Sequence, residues 1–120
     1  MQAHTLQELL AHNDWADARI HQVAAAFTNE QLDRRFEMGE GSLRATLRHI
    51  YGAQRTWHER INAPGWDTLP RSSATSSVLE IADASSQLAS LRNKWLPLLD
   101  DERLAESVDY TNSQGVRFET

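Results

Sequence analysis

Three long segments of this chain repeat their apolar residues every three or four positions, the spacing that aligns side chains on one face of an α-helix. The three apolar stripes lie within residues 6–27, 43–61 and 81–95. A helix with such a stripe must bury it against another element to be stable in water. The sequence therefore predicts an all-α protein built on three long helices.

Residues that cap helix N-termini precede these stripes. A hydroxyl residue followed three positions later by Glu or Gln, the capping-box pattern, begins at Thr5, Thr28 and Ser77. Ser42 stands directly before the second stripe as a single N-cap. The box at Thr28 predicts a short additional helix that ends near Phe36, and two closely spaced glycines then predict a loop.

The rest of the chain predicts loops and a small β-hairpin. Residues 62–76 are rich in Pro, Gly and Ser and read as a connecting loop, with Trp66 packing it onto the body. Pro97 ends or kinks the third helix, and residues 100–102 are most simply a solvated loop. Residues 108–118 alternate apolar and polar positions around Asn-Ser-Gln-Gly, the pattern of a hairpin.

Size and composition restrict the class of protein. A chain of 120 residues predicts one domain over residues 1–120. Its net charge is −5 and its basic residues are scattered, which argues against nucleic acid as a partner. It has no cysteine, which excludes disulfides and thiolate ligands. A secretion signal and a long apolar run are not visible, so we expect a cytoplasmic protein with no membrane partner.

His49 is the best candidate for a metal ligand, and we expect its ring to face inward between helices. The positions three and four residues away hold Ala, Thr, Gly and Ala, so no second ligand shares its face of the helix. Any metal site must therefore be built between helices. The alternative is a half-buried histidine that hydrogen-bonds to a carbonyl or to Asn13. His4 and His58 are predicted to face solvent.

Asn13 and Asp17 are polar residues on or beside the inward stripe of the first helix, where polar groups need partners. They either orient His49 through hydrogen bonds or form ordinary hydrogen bonds between helices. No catalytic residue can be assigned, because the chain lacks the Gly-rich phosphate loops and the nucleophilic serine motif of known enzyme classes.

Three stretches, in order, resemble DinB/YfiT-like proteins. Residues 12–20 resemble the first-helix pattern N-x-W-A-N-x-R of that family. Gly41-Ser42-Leu43, then Leu47-Arg48-His49-Ile50 and Trp57, resemble its second helix. Residues 110–118 resemble the hairpin that precedes its last helix. The match extends over essentially the entire chain.

The resemblance implies an up-down-down-up four-helix bundle, commonly a homodimer, with a divalent metal such as zinc or nickel held by three histidines. His49 matches the histidine of the second helix. The other two lie in an H-x-x-x-H stretch of the fourth helix, which this sequence does not contain. We therefore expect a bundle that lacks its fourth helix, with the other ligands expected beyond Thr120, and apolar surface left exposed or buried against another copy.

Two functions remain open from the sequence. The first is a metal-dependent enzyme of the thiol S-transferase or hydrolase type, acting on a small thiol or another small molecule, with an incomplete metal site in this chain. The second is a non-catalytic helical module that dimerises and binds no metal. A third, more distant reading is a bundle that binds a small ligand in the aromatic-lined space between helices.

Overall fold

Helices form most of the chain in a computed structural model, which describes residues 2–62, 69–107, 109–112 and 114–119. The elements, in chain order, are α1 Ala3–Ala24, α2 Asn29–Asp33, α3 Leu43–Asn62, α4 Val78–Trp95, a 3-10 turn Leu96–Leu98, α5 Asp101–Leu104, β1 Asp109–Thr111 and β2 Arg117–Glu119. The predicted mostly helical fold with a small hairpin near its C-terminus is confirmed.

Three of the four predicted helix starts are confirmed by cap hydrogen bonds. Thr28 and Gln31 form both bonds of a capping box, and the hydroxyls of Ser42 and Ser77 each accept a backbone N–H three residues on. The predicted start at Thr5 is wrong, because α1 begins at Ala3. Its first N–H donates to the Asp101 carboxylate at 2.7 Å, so a distant carboxylate replaces the local cap.

The core lies where α1 and α3 pack on α4, and each packs more extensively on α4 than on the other. The inward stripe predicted for α4 is confirmed at Ile81, Ala84 and Leu88, all of which are buried. Other apolar members of the core come from α1, α2, α3, the segment before α4 and the first turn of α4, and they are Ala24, Leu32, Leu47, Tyr51, Leu69 and Val78. The hydroxyl of Tyr51 donates to the Pro70 carbonyl.

The stripes predicted for α1 and α3 are largely not in this core. Leu9, Ile20 and Val23 on α1, and Phe27 just after its end, each expose two-fifths or more of their surface. On α3 the buried residues are instead Arg44, Leu47, Tyr51, Arg55 and His58. Because α1 and α3 pack mainly on α4, each buries the face that contacts α4. The apolar stripe of each of these two helices lies mostly on a different face. The expectation that apolar surface is left exposed agrees with this arrangement.

The hairpin and its approach differ from expectation in one respect. β1 and β2 pair antiparallel, as the alternation predicted, and the register places Tyr110 opposite Phe118. The stretch 100–102 is not a plain loop, since Asp100 caps α5 and its carboxylate accepts the N–H of Arg103 at 2.7 Å. The predicted contact of Trp66 lies outside the described residues. Among the described helices, none is long and apolar enough to cross a membrane.

Candidate functional site

His49 lies on the outer face of α3. Its side chain is 63% exposed, and Nδ1 is 3.4 Å from Oε1 of Glu40. The expectation that the ring faces inward is wrong. Leu47 and Tyr51 point into the core from two residues before and after it, and a two-residue step turns a side chain by about 200° around the helix.

A tight loop brings Glu40 to this face. Gly39 and Gly41 both have positive φ, at 55° and 86°, a conformation that glycine adopts without the steric cost of a Cβ. Gly41 accepts the backbone N–H of Phe36 and donates its own to Met38, which closes the loop directly before α3. Glu40 therefore stands next to the first turns of α3, where it meets His49.

Asn13 and Asp17 form a separate polar contact between α1 and α3. The side-chain amide of Gln54 donates to Oδ2 of Asp17 at 2.9 Å, and that of Asn13 donates to the same oxygen at 3.5 Å. The bond from Gln54 to Asp17 is a hydrogen bond between helices, one of the two roles left open by the sequence, whereas Asn13 and Asp17 lie one turn apart within α1. The partner of His49 is Glu40, so the structure does not bring Asn13, Asp17 and His49 into one cluster.

The described residues do not by themselves form the three-ligand metal site that the resemblance implies. Within the described ranges, no group of three or more His, Asp or Glu side chains is placed to hold a metal ion. His49 and Glu40 supply one imidazole and one carboxylate, both accessible, whereas an open catalytic zinc site has three protein ligands. His4 and Glu8 form a second exposed pair of the same kind, at 3.1 Å.

His58 is the polar residue that the sequence placed wrongly. It was expected in solvent, yet it is only 7% exposed on the face of α3 that packs on α4. Burial, and then the charge of Arg92, lower the pKa of His58 below its ordinary value of 6.5. The spacing of the sequence could have indicated this burial. His58 lies seven residues after the buried Tyr51, and seven residues are about two helical turns, so both side chains lie on the same face of α3.

His21 on α1 is a second buried histidine, at 7% exposure. Burial lowers its pKa below 6.5, and the nearby Asp17 carboxylate acts in the opposite direction. It borders a groove of about 490 Å³ between α1 and α4, whose other lining residues are mostly small. A different groove, of about 350 Å³, opens between α1 and α3 and includes His58 in its lining.

Comparison with known proteins gives the family. The model of the DinB family matches residues 1–117, nearly the whole chain. The chain belongs to the DinB family. The comparisons with curated proteins and with solved structures found no match. The order of motifs recognised in the sequence is thus confirmed at the level of the DinB family.

Membership of the DinB family agrees with the mostly helical fold of the chain. The resemblance in sequence indicated one position of α3, His49. The structure adds that this position is accessible and that a carboxylate stands beside it. It also shows that the polar residues His58 and Arg92 are buried between the helices. The sequence motifs that resemble the family had not indicated a role for either residue.

Proposed function

We propose that this chain is part of a DinB-type enzyme that depends on a divalent metal such as zinc or nickel, and that His49 is the ligand it supplies. The reaction class is thiol S-transfer or hydrolysis on a small substrate. The remaining ligands would come from outside the described residues. The metal ligands among the described residues are too few to form the whole site.

The observation that bears on this role is the accessibility of His49, although its ring faces outward and not into the space between helices where the sequence predicted the site. A buried structural histidine has both nitrogens covered or paired, whereas this ring is 63% exposed and touches one carboxylate. Imidazole and carboxylate oxygen are both ligands for zinc and related ions. The side chain can therefore be approached by an ion without unfolding any part of α3.

A metal titration of the 120-residue protein tests this role. We expect zinc or nickel to bind weakly, because the described residues place only Glu40 beside His49, and we expect this affinity to fall at least about tenfold in His49→Ala. His4→Ala is the matched control, because His4 and Glu8 also form an exposed pair. The proposal would be contradicted if His49→Ala bound the metal as tightly as the unaltered protein does. It would also be contradicted if His49→Ala and His4→Ala had equal affinities for the metal.

A second candidate is a non-catalytic module that associates with another copy of itself. It is favoured by the exposed apolar residues on α1, since Ile20, Val23 and Phe27 are 45%, 56% and 41% exposed and lie beside Leu43 along one side of the helix. Contiguous apolar surface on a soluble protein marks an interaction site more often than scattered single residues do. The homodimer implied by the resemblance would use this face.

A further inference from the structure

The groove between α1 and α3 has the size and lining of a site for a small amphipathic molecule. Its volume is about 350 Å³, within the usual range of about 300–1,000 Å³ for small-molecule sites. Apolar side chains form most of the wall, and they are Leu6, Leu10, Trp57, Ile61, Leu88 and Trp95. His58 and Arg92 belong to the lining as well, whereas His49 does not.

His58 has a proton on Nδ1 and no acceptor for it. The indole Nε1 of Trp95, which can only donate, lies 3.4 Å from Nε2 of His58. Nε2 is therefore the acceptor nitrogen of the ring, and a neutral ring must carry its proton on Nδ1. Within the described part of the chain, that buried Nδ1 has no hydrogen-bond partner.

Arg92 is in the same situation. It is 7% exposed, and its Nη2 donates to the Asp14 carboxylate of α1. Its Nε is buried and without a hydrogen-bond partner among the described residues. A guanidinium Nε always carries a proton, so two neighbouring side chains of the groove each hold a buried N–H that is not used in the fold.

Unused buried donors are uncommon in folded proteins and call for an explanation. Oxygen acceptors from a ligand in the groove would satisfy these donors. Both groups can only donate, and a hydrogen bond from a guanidinium N–H to an anion is charge-assisted, which favours a carboxylate over a cationic or neutral head even though Arg92 already pairs with Asp14. His58 in its neutral state donates one hydrogen bond through Nδ1–H and does not add a second positive charge.

We propose that this groove binds a small monocarboxylate with an apolar tail. The carboxylate accepts from His58 Nδ1–H and Arg92 Nε–H, and the tail lies along the apolar wall near Leu10, Trp57 and Ile61. Both nitrogens are covered, so the head group reaches them only when a side chain of the groove wall moves. The site is separate from His49, and its test does not depend on a metal.

Titration with decanoate tests the proposal, with tryptophan fluorescence as the readout because Trp57 and Trp95 line the groove. Decanol and decylamine share its tail and replace the anionic head with a neutral or a cationic one. We expect decanoate to bind at least about tenfold more tightly than either, and saturably at one site. Equal affinities for all three would mean simple partition of the tail and would overturn the proposal.

A matched pair of substitutions locates the site. Ala53 and Ala18 are both exposed helical residues, but Ala53 lines this groove and Ala18 lines the groove between α1 and α4. Ala53→Phe should abolish decanoate binding and Ala18→Phe should leave its affinity within about twofold. Unchanged decanoate affinity in Ala53→Phe would overturn the assignment. So would decanoate binding that reaches saturation only at protein concentrations at which the protein self-associates.

The head-group contacts are tested by His58→Phe and Arg92→Gln. Each removes one of the two free N–H donors, and each should weaken decanoate binding about tenfold while leaving decanol binding nearly unchanged. Circular dichroism shows whether each variant folds, and Ala53→Phe decides the proposal if one does not. Equal losses for decanoate and decanol would show that the side chains shape the groove without binding the carboxylate.

Discussion

Arg44 shows at the scale of one residue how a buried charge organises the fold. Its guanidinium donates to Asp33 at 2.7 Å and to Asn29 at 2.7 Å, both in α2, and to the Ser76 carbonyl at 2.6 Å, just before α4. A buried arginine is tolerated only when its donors are paired. These bonds join α2, α3 and the entry to α4, so a residue that is charged in the sequence is structural in the fold.

The buried histidines predict a pH dependence of stability. The folded protein lowers the pKa of His58 through burial and the charge of Arg92, and lowers that of His21 through burial. Below the ordinary value of 6.5, the unfolded chain binds protons that the folded protein still excludes, and acidification therefore favours unfolding. We expect the free energy of unfolding in urea to fall as pH decreases from 6.5, with no loss from these groups above it.

Replacement of the titrating rings provides the control. In a double variant, His21→Leu with His58→Phe, the fall in stability between pH 7 and pH 5 should be clearly smaller than in the unaltered protein, because two groups that take up protons on unfolding are gone. A fall of the same size, measured by urea unfolding at each pH, would show that these histidines are not the cause.

At the scale of elements, the hairpin is attached to α3 by a cluster of aromatic rings and one arginine. Tyr110 meets Trp57 edge to face at 5.1 Å and stacks on Phe118 at 5.3 Å. The guanidinium of Arg60 lies 4.1 Å from the Tyr110 ring and 4.5 Å from that of Trp57. A two-stranded hairpin is marginal by itself, so this cluster is what holds it in place.

We expect Tyr110→Ala to reduce the free energy of unfolding by about 1–2 kcal/mol, since it removes one aromatic pair with α3 and one cation–π contact. Amide hydrogen exchange in β1 and β2 should become much faster, while that of α4 stays slow. Val116→Ala is the control, because Val116 is an exposed apolar residue of the same hairpin. If the amides of β1 and β2 stayed protected from hydrogen exchange in Tyr110→Ala, the role of this cluster in attaching the hairpin would be contradicted.

At the scale of the whole molecule, the chain leaves one side of α1 uncovered. Its apolar stripe is continuous in sequence, yet packing on α4 uses the neighbouring face, where Ala3, His21 and Ala24 are buried. The second candidate function places another copy of the protein on this uncovered side. Association would bury Ile20, Val23 and Phe27, which are now partly in water.

Sedimentation over a range of concentrations tests that association. We expect a dimer whose dissociation constant rises at least about tenfold in Val23→Glu, since a buried unpaired carboxylate is costly. Leu79→Glu is the matched control, because Leu79 on α4 is also apolar and 72% exposed. A monomer at all concentrations, or equal weakening by both substitutions, would rule out this face as the interface.

Local patterns in the sequence were enough to locate most of the elements, although not α5. Helical spacing and N-cap residues predicted α3, α4 and the short α2, and alternation predicted the hairpin, because these depend on interactions between neighbours along the chain. The order of motifs was also enough to indicate the DinB family, which the family model confirmed. His49 was found because its type and its place in that motif are properties of the sequence.

Only the tertiary structure decided which face of each helix is buried. The position of α4 between α1 and α3 placed His58 and Arg92 inside and turned His49 toward solvent, against the expectation from the apolar stripes. The cap of α1 likewise comes from Asp101, nearly a hundred positions away. Such contacts join residues remote in sequence, and no local spacing encodes them; they arise from the way the helices pack.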